Sequence, residues 1–189
     1  MRYFGSLSLN RKEMMAALIF GVIAGVLASM AERADVMVTG GNATPLGYVN
    51  TYTWILISAV LFGPLGAIIT TEVQAAIGLI TFANPLSWLW PFINPIFAIV
   101  AGLVSKGVLR FKPNTGLRTR IILMSIAIAI LDIPLVYVVI VLALGLPFVF
   151  FLAALPIYLF LQLVPSTMLA YMILKSILKS KILEYQTLE

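Results

Sequence analysis

Apolar residues in this chain come in long unbroken runs rather than in alternation with polar ones. The runs predict helical spans over roughly 13–31, 51–63, 65–83, 88–109, 119–144 and 147–174, with short polar or glycine- and proline-bearing breaks between them. A helix needs about 20 such residues to cross the hydrocarbon of a bilayer, so the pattern describes an all-α integral membrane bundle of six transmembrane helices in one domain, residues 1–189. The tract 51–83 is the awkward one. As a single straight helix it would be about 50 Å long, well beyond the ~30 Å of hydrocarbon. Gly63, Pro64, Leu65 and Gly66 supply the turn chemistry to reverse it, since proline ends the preceding helix and glycine permits the reversal.

Composition agrees with the runs: of 189 residues, 62% are hydrophobic and 10% charged, a balance a water-soluble surface would not tolerate. Charge then orients the bundle. With six spans, Arg2, Arg11, Lys12, Lys106, Arg110, Lys112, Arg118, Arg120, Lys175, Lys179 and Lys181 all fall on one side and only Arg33 on the other. With five spans, the basic 106–120 loop would be carried across, against the positive-inside rule. Both termini are therefore expected in the cytoplasm. The same rule accounts for the net charge of +5 without nucleic acid. The basic start "MRYFGSLSLNRKE" precedes an apolar run with no clear cleavage site and reads as leading into a retained helix. Cysteine and histidine are absent, which removes disulfides, thiolate chemistry and histidine-based metal or acid–base sites. No metal and no cofactor are expected.

Two carboxylates fall deep within spans, Glu72 and Asp132, and no lysine or arginine lies at their depth to pair with them. Such a group costs about 2.5–3.5 kcal/mol on insertion scales, so it either stays protonated or awaits a cation from outside. Asn94 stands one turn from Trp90, and Gln162 one turn from Tyr158, so two helices can each present an aromatic and an amide on one face. Together with Glu72 these residues outline a pocket for a flat ring, and Trp54 and Tyr48 near the outer boundary join the candidates. The plainer alternatives are interfacial anchoring for Trp54, Trp88, Trp90, Tyr48 and Tyr52, and interhelical hydrogen bonding for Asn94 and Gln162. The glycine-rich segment 32–50 is expected to be a loop, either a lid over the bundle or a connector. On the first helix Ala17, Gly21, Gly25 and Ser29 recur every four residues, a smooth stripe for internal packing or for a partner helix.

With these features the chain resembles the substrate-binding S components of energy-coupling factor (ECF) vitamin importers. The likeness rests on the six-span plan, the Ala17/Gly21 stripe, and the segments "LFGPLGAIITTEVQAAIGLI", "NPIFAIVAGLVSKGVLRF" and "LVPSTMLAYMILKSIL". Glu72 and its small neighbours look like the branch associated with thiamin and its hydroxymethylpyrimidine precursor. The resemblance implies a multi-pass protein of a prokaryotic plasma membrane that captures a vitamin from outside. It also implies assembly with a T component and two ATPase subunits, whose hydrolysis topples the S component in the membrane, the stripe at Ala17 and Gly21 meeting the T component. The chain has no P-loop glycine–lysine motif of its own. An S component for a different vitamin and an autonomous proton- or cation-coupled transporter remain as alternatives. An enzyme is not expected: without histidine there is no serine–histidine pair or HExxH site, and Glu72 with Asp132 is a poor match to a paired-aspartate protease.

Overall fold

The structure, a computed structural model, describes residues 9–40, 44–81, 87–106 and 116–179. Every element among them is helical. Five helices are long and apolar enough to cross a membrane: Arg11–Thr39, Pro45–Thr81, Ser87–Ser105, Leu117–Leu142 and Phe148–Lys179. We label them by their regular parts: α1 (Arg11–Thr39), α2 (Pro45–Thr81), α3 (Trp90–Ser105), α4 (Leu117–Tyr137), α5 (Phe148–Leu161) and α6 (Thr167–Lys179). Wide π turns continue α4 over Val138–Ala143 and join α5 to α6 over Gln162–Ser166.

The expected spans 51–63 and 65–83 are the two arms of α2. Gly63 breaks the helix with φ 71° and ψ −164°, a backbone conformation open in practice to glycine alone, and Pro64 starts the second arm where its missing N–H costs nothing. The arms lie side by side, because the Gln74 side-chain amide donates to the Thr51 hydroxyl at 2.6 Å. The α3 helix closes on this turn: a Cβ on Gly102 would lie 2.3 Å from the Pro64 Cα, so only a glycine admits the approach.

Segment 32–50 is not the loop that its glycines and polar residues suggest. The α1 helix runs on to Thr39, Gly40 ends it with φ 66°, and α2 begins at Pro45. The physical reason is Asp35. Its carboxylate accepts the N–H groups of Leu46 at 3.1 Å and Gly47 at 2.8 Å, satisfying first-turn donors of α2 that a helix start leaves open. The first arm thereby gains about six residues over the expected span and, at 1.5 Å per residue, reaches ~27 Å. Residues 41–43 of the expected lid, 82–83 of the third span and 107–109 of the fourth lie outside the described residues, as do both chain ends.

That first arm is the centre of the bundle. Every residue from Tyr52 to Ala59 is buried, as expected for a helix with neighbours on all sides. Ile55, Leu56 and Ile57 meet Ile121, Met124, Ile128 and Leu174 in the core. The outer surface is apolar instead, with Met15, Ile19, Val22, Val26 and Met30 exposed along one face of α1 and Phe148, Leu152 and Phe160 along α5. Several long helices with apolar outer faces make this a multi-pass membrane protein.

The Gly63 turn marks one end of the bundle. Phe20 packs edge-on against Phe62 there, at 5.4 Å, and the Lys106 side chain runs beneath Gly63. Arg11, Lys12, Arg118, Arg120, Lys175 and Lys179 sit on the helix ends that point the same way. Glu32, Arg33 and Asp35 stand at the opposite end.

Candidate functional site

At the end away from the basic residues, five helices converge on a cavity of about 90 Å³. That is several times the ~10–15 Å³ a single water occupies on the same measure. Helical spacing selects its walls. Tyr48, Thr51 and Tyr52 come from successive turns of the first arm of α2, and Trp90, Asn94 and Phe97 from one face of α3. The α4 helix contributes Asp132 and Val136, its wide turn contributes Val139 and Ile140, α5 contributes Tyr158, and Glu32 closes the side near the end of α1.

Asp132 organises this cavity. Tyr48 and Tyr52 each donate their phenolic hydroxyl to it, Tyr48 to Oδ2 and Tyr52 to Oδ1, the latter at 2.8 Å. The rings form a continuous wall: Tyr48 lies 4.4 Å from Tyr52 and 4.8 Å from Tyr158 between centroids, and Tyr52 lies 5.2 Å from Phe97. Such tilted aromatic neighbours present faces on which a flat ring can stack.

Two polar atoms on the lining residues are unmatched. Glu32 is 5% exposed, and its buried Oε2 has no hydrogen-bond partner among the described residues; the same holds for Nε1 of Trp90. Gly47 makes room for Glu32, since a Cβ there would lie 2.5 Å from the Glu32 Cγ. A buried carboxylate oxygen and a buried indole N–H without partners are the kind of groups a ligand completes, one as acceptor and the other as donor. The arrangement is suited to binding. No cluster of three or more His, Cys, Asp or Glu residues placed to hold a metal ion occurs among the described residues.

Of the residues singled out from sequence, Tyr48, Trp90, Asn94, Asp132 and Tyr158 come together in this cavity. Three others do not. Glu72 does not line it: it lies half-buried on the second α2 arm, on the side where Leu65, Ala76 and Ile80 are exposed. Gln162 is fully buried at the start of the wide turn, its Nε2 donating at 3.4 Å to the Ser125 carbonyl while the Ser125 hydroxyl donates back to the Gln162 carbonyl. Pro165 stands inside the turn that begins at Gln162. It has no N–H for the Leu161 carbonyl, which takes the Ser166 hydroxyl at 2.9 Å instead, and the turn widens around it. Trp54 packs edge-on against Phe20 at 5.6 Å and donates its indole N–H to Asn50 at 3.2 Å.

The small-residue stripe is likewise turned inward, with Ala17, Gly21, Gly25 and Ser29 all buried against the second arm of α2. The Ala17 carbonyl accepts the Thr70 hydroxyl at 3.1 Å, a Cβ on Gly21 would lie 2.6 Å from the Val73 Cβ, and Ser29 shares a 2.9 Å hydrogen bond with Thr81. These residues serve the chain's own helix pair and present no outward face for a partner.

Sequence reasoning passed over Glu32 and Tyr52. Glu32 was hidden by the loop reading of 32–50. Tyr52 carried a usable signal: it stands four residues from Tyr48, so both phenols share a face, and a buried aspartate needs two such donors.

No protein-family model, curated protein or solved structure matches this chain.

Proposed function

We propose that this chain is a substrate-capturing membrane subunit that crosses the bilayer six times, with both termini in the cytoplasm and the aromatic, acidic cavity open to ligand from the outer side. The observation that carries the reading is Asp132, held by two phenols in a cavity where the Glu32 carboxylate and the Trp90 indole each keep an unmatched polar atom. Two carboxylates and a ring-lined wall favour a flat heterocycle bearing positive charge or N–H donors, with an acceptor for Trp90. The Thr51–Gln74 hydrogen bond supports the six crossings, because it requires α2 to double back.

The resemblance to S components of ECF importers supplies the rest of the reading. The ligand is a vitamin or precursor, thiamin or hydroxymethylpyrimidine first among them, and delivery requires a T component and two ATPase subunits in the same prokaryotic plasma membrane. Glu72 drops out as the ligand's counter-charge, and that role passes to Glu32 and Asp132.

Calorimetry on the purified chain in detergent, with thiamin, hydroxymethylpyrimidine and a panel of other vitamins and no ATPase present, tests this. The expected result is nanomolar to micromolar binding of one of them; silence across the panel sinks the reading. Two carboxylates on one cavity also suit a proton- or cation-coupled transporter. Ligand uptake by vesicles holding this chain alone, driven by an imposed pH or sodium gradient, would identify that instead.

A further inference from the structure

The second arm of α2 has a buried side and an exposed side. Toward the bundle it turns Ala67, Thr70, Thr71, Gln74, Ala75 and Gly78, all buried. Away from it, Leu65, Ala76 and Ile80 are exposed, and Glu72 lies on that same outward face, one turn from Ala76 and midway along the arm. Glu72 is half-buried, and its Oε1 is shielded from the surface with no hydrogen-bond partner among the described residues. A half-buried acid beside a lipid-facing stripe, with one oxygen unpaired, is costly unless something outside the helix completes it.

We propose that this face is a docking surface for a transmembrane helix of another protein, one that brings a lysine or arginine to the depth of Glu72. Charge complementarity selects that occupant. Glu72 is nine residues from Gly63 and from Thr81, about 13 Å at 1.5 Å per residue, so lipid headgroups at either end of the arm are out of its reach. A second copy of this chain cannot supply the counter-charge, because the basic side chains of the described residues stand at helix ends. Two copies meeting on this face would oppose one Glu72 to another. Ala76 beside the acid is small enough to let a partner backbone come close. The surface does not involve the cavity, so it stands whatever the ligand proves to be.

The test uses the full chain in lipid nanodiscs and a polyleucine transmembrane peptide with a single central arginine, association being followed by fluorescence energy transfer. The arginine peptide should bind about tenfold or more tightly than its all-leucine counterpart, as expected for a desolvated charge pair. Glu72→Gln should remove the difference, as should Ala76→Phe, which keeps the acid but blocks the approach. Ile130→Phe, on an exposed position of α4, should leave it intact. Equal binding of the two peptides overturns the proposal, and so does an arginine preference that survives either substitution on the face. Should Glu72→Gln fail to fold, Ala76→Phe decides alone. Glu72-dependent self-association of the chain without peptide binding would assign the face to a second copy and overturn the proposal as well.

Discussion

Gln74 donates its side-chain amide to the hydroxyl of Thr51, 23 residues earlier in the same apolar tract, at 2.6 Å. In a straight helix the two would stand about 35 Å apart. The contact exists because Gly63 takes a left-handed φ and Pro64 begins a new helix beside the old one. The chain has no cysteine of its own, so this reversal can be probed cleanly. Thr51→Cys with Gln74→Cys should cross-link within one chain through a short bifunctional thiol reagent, visible as a shift in electrophoretic mobility. Failure to cross-link within the folded protein would refute the doubled-back arm.

Gly102, beside the Gly63 turn, should be hard to replace. A methyl there meets the backbone of Pro64, at 2.3 Å from Cα and 2.5 Å from N, and backbone cannot step aside as a flexible side chain can. Gly102→Ala should cost about 1–3 kcal/mol as overpacking does. Gly116→Ala, where nothing lies within 4 Å, should cost less, about 0.5–1 kcal/mol, the ordinary loss of glycine at an N-cap. Thermal unfolding in detergent compares the two.

Glu32 and Glu72 should separate cleanly in a binding assay. Glu32 lines the cavity with a carboxylate oxygen that has no partner among the described residues, so Glu32→Gln should weaken a cationic ligand by ~1.5–3 kcal/mol, about ten- to a hundredfold. Glu72→Gln should leave the affinity of the isolated chain unchanged. The opposite pattern in calorimetry would return the counter-charge to Glu72 and misplace the site.

Tyr52→Phe removes one of the two donors to Asp132 and leaves its Oδ1 buried without that hydroxyl. The expected loss is about 1–3 kcal/mol of stability, the cost of leaving a buried acceptor unmatched. The double variant Tyr52→Phe, Asp132→Asn should be less destabilised than the sum of the single ones, because the two groups share one interaction. Strict additivity in thermal unfolding would show that the hydrogen bond contributes nothing.

The stripe on α1 predicts a fold defect. A methyl on Gly21 would press on Val73 Cβ and the Thr70 carbonyl, at 2.6 and 2.9 Å. Gly21→Ala should therefore lower the unfolding temperature of the isolated chain, with a cost of about 1–3 kcal/mol. If stability were unaffected and only assembly with partner subunits suffered, the stripe would be an outward interface after all.

Much of this was legible in the order of residues. Long apolar runs can only be helices in a bilayer, because no water is there to satisfy a bare backbone, and the Gly63–Pro64 pair announced the reversal. Trp90 and Asn94, one turn apart, share one wall of the cavity. Gln162, one regular turn from Tyr158, is off the cavity wall: its side-chain amide donates to the Ser125 carbonyl of α4 instead. Segment 32–50 read as a loop because its glycines weaken helix propensity. Asp35 overrides that locally by capping α2, a contact between residues eleven and twelve positions apart that no local pattern encodes.

By itself, the sequence determined which long apolar segments are helical, where the longest of them must reverse, and which helix ends carry the positive charge, since each follows from local composition and the cost of exposing backbone to lipid. Only the tertiary structure decided which way each helix is rotated. Rotation depends on what packs against what: the glycines of α1 sinking onto Thr70 and Val73, the phenols of Tyr48 and Tyr52 turning to Asp132. That choice took Glu72, the most conspicuous acid in the sequence, out of the cavity and put Glu32, which the sequence hid, into it.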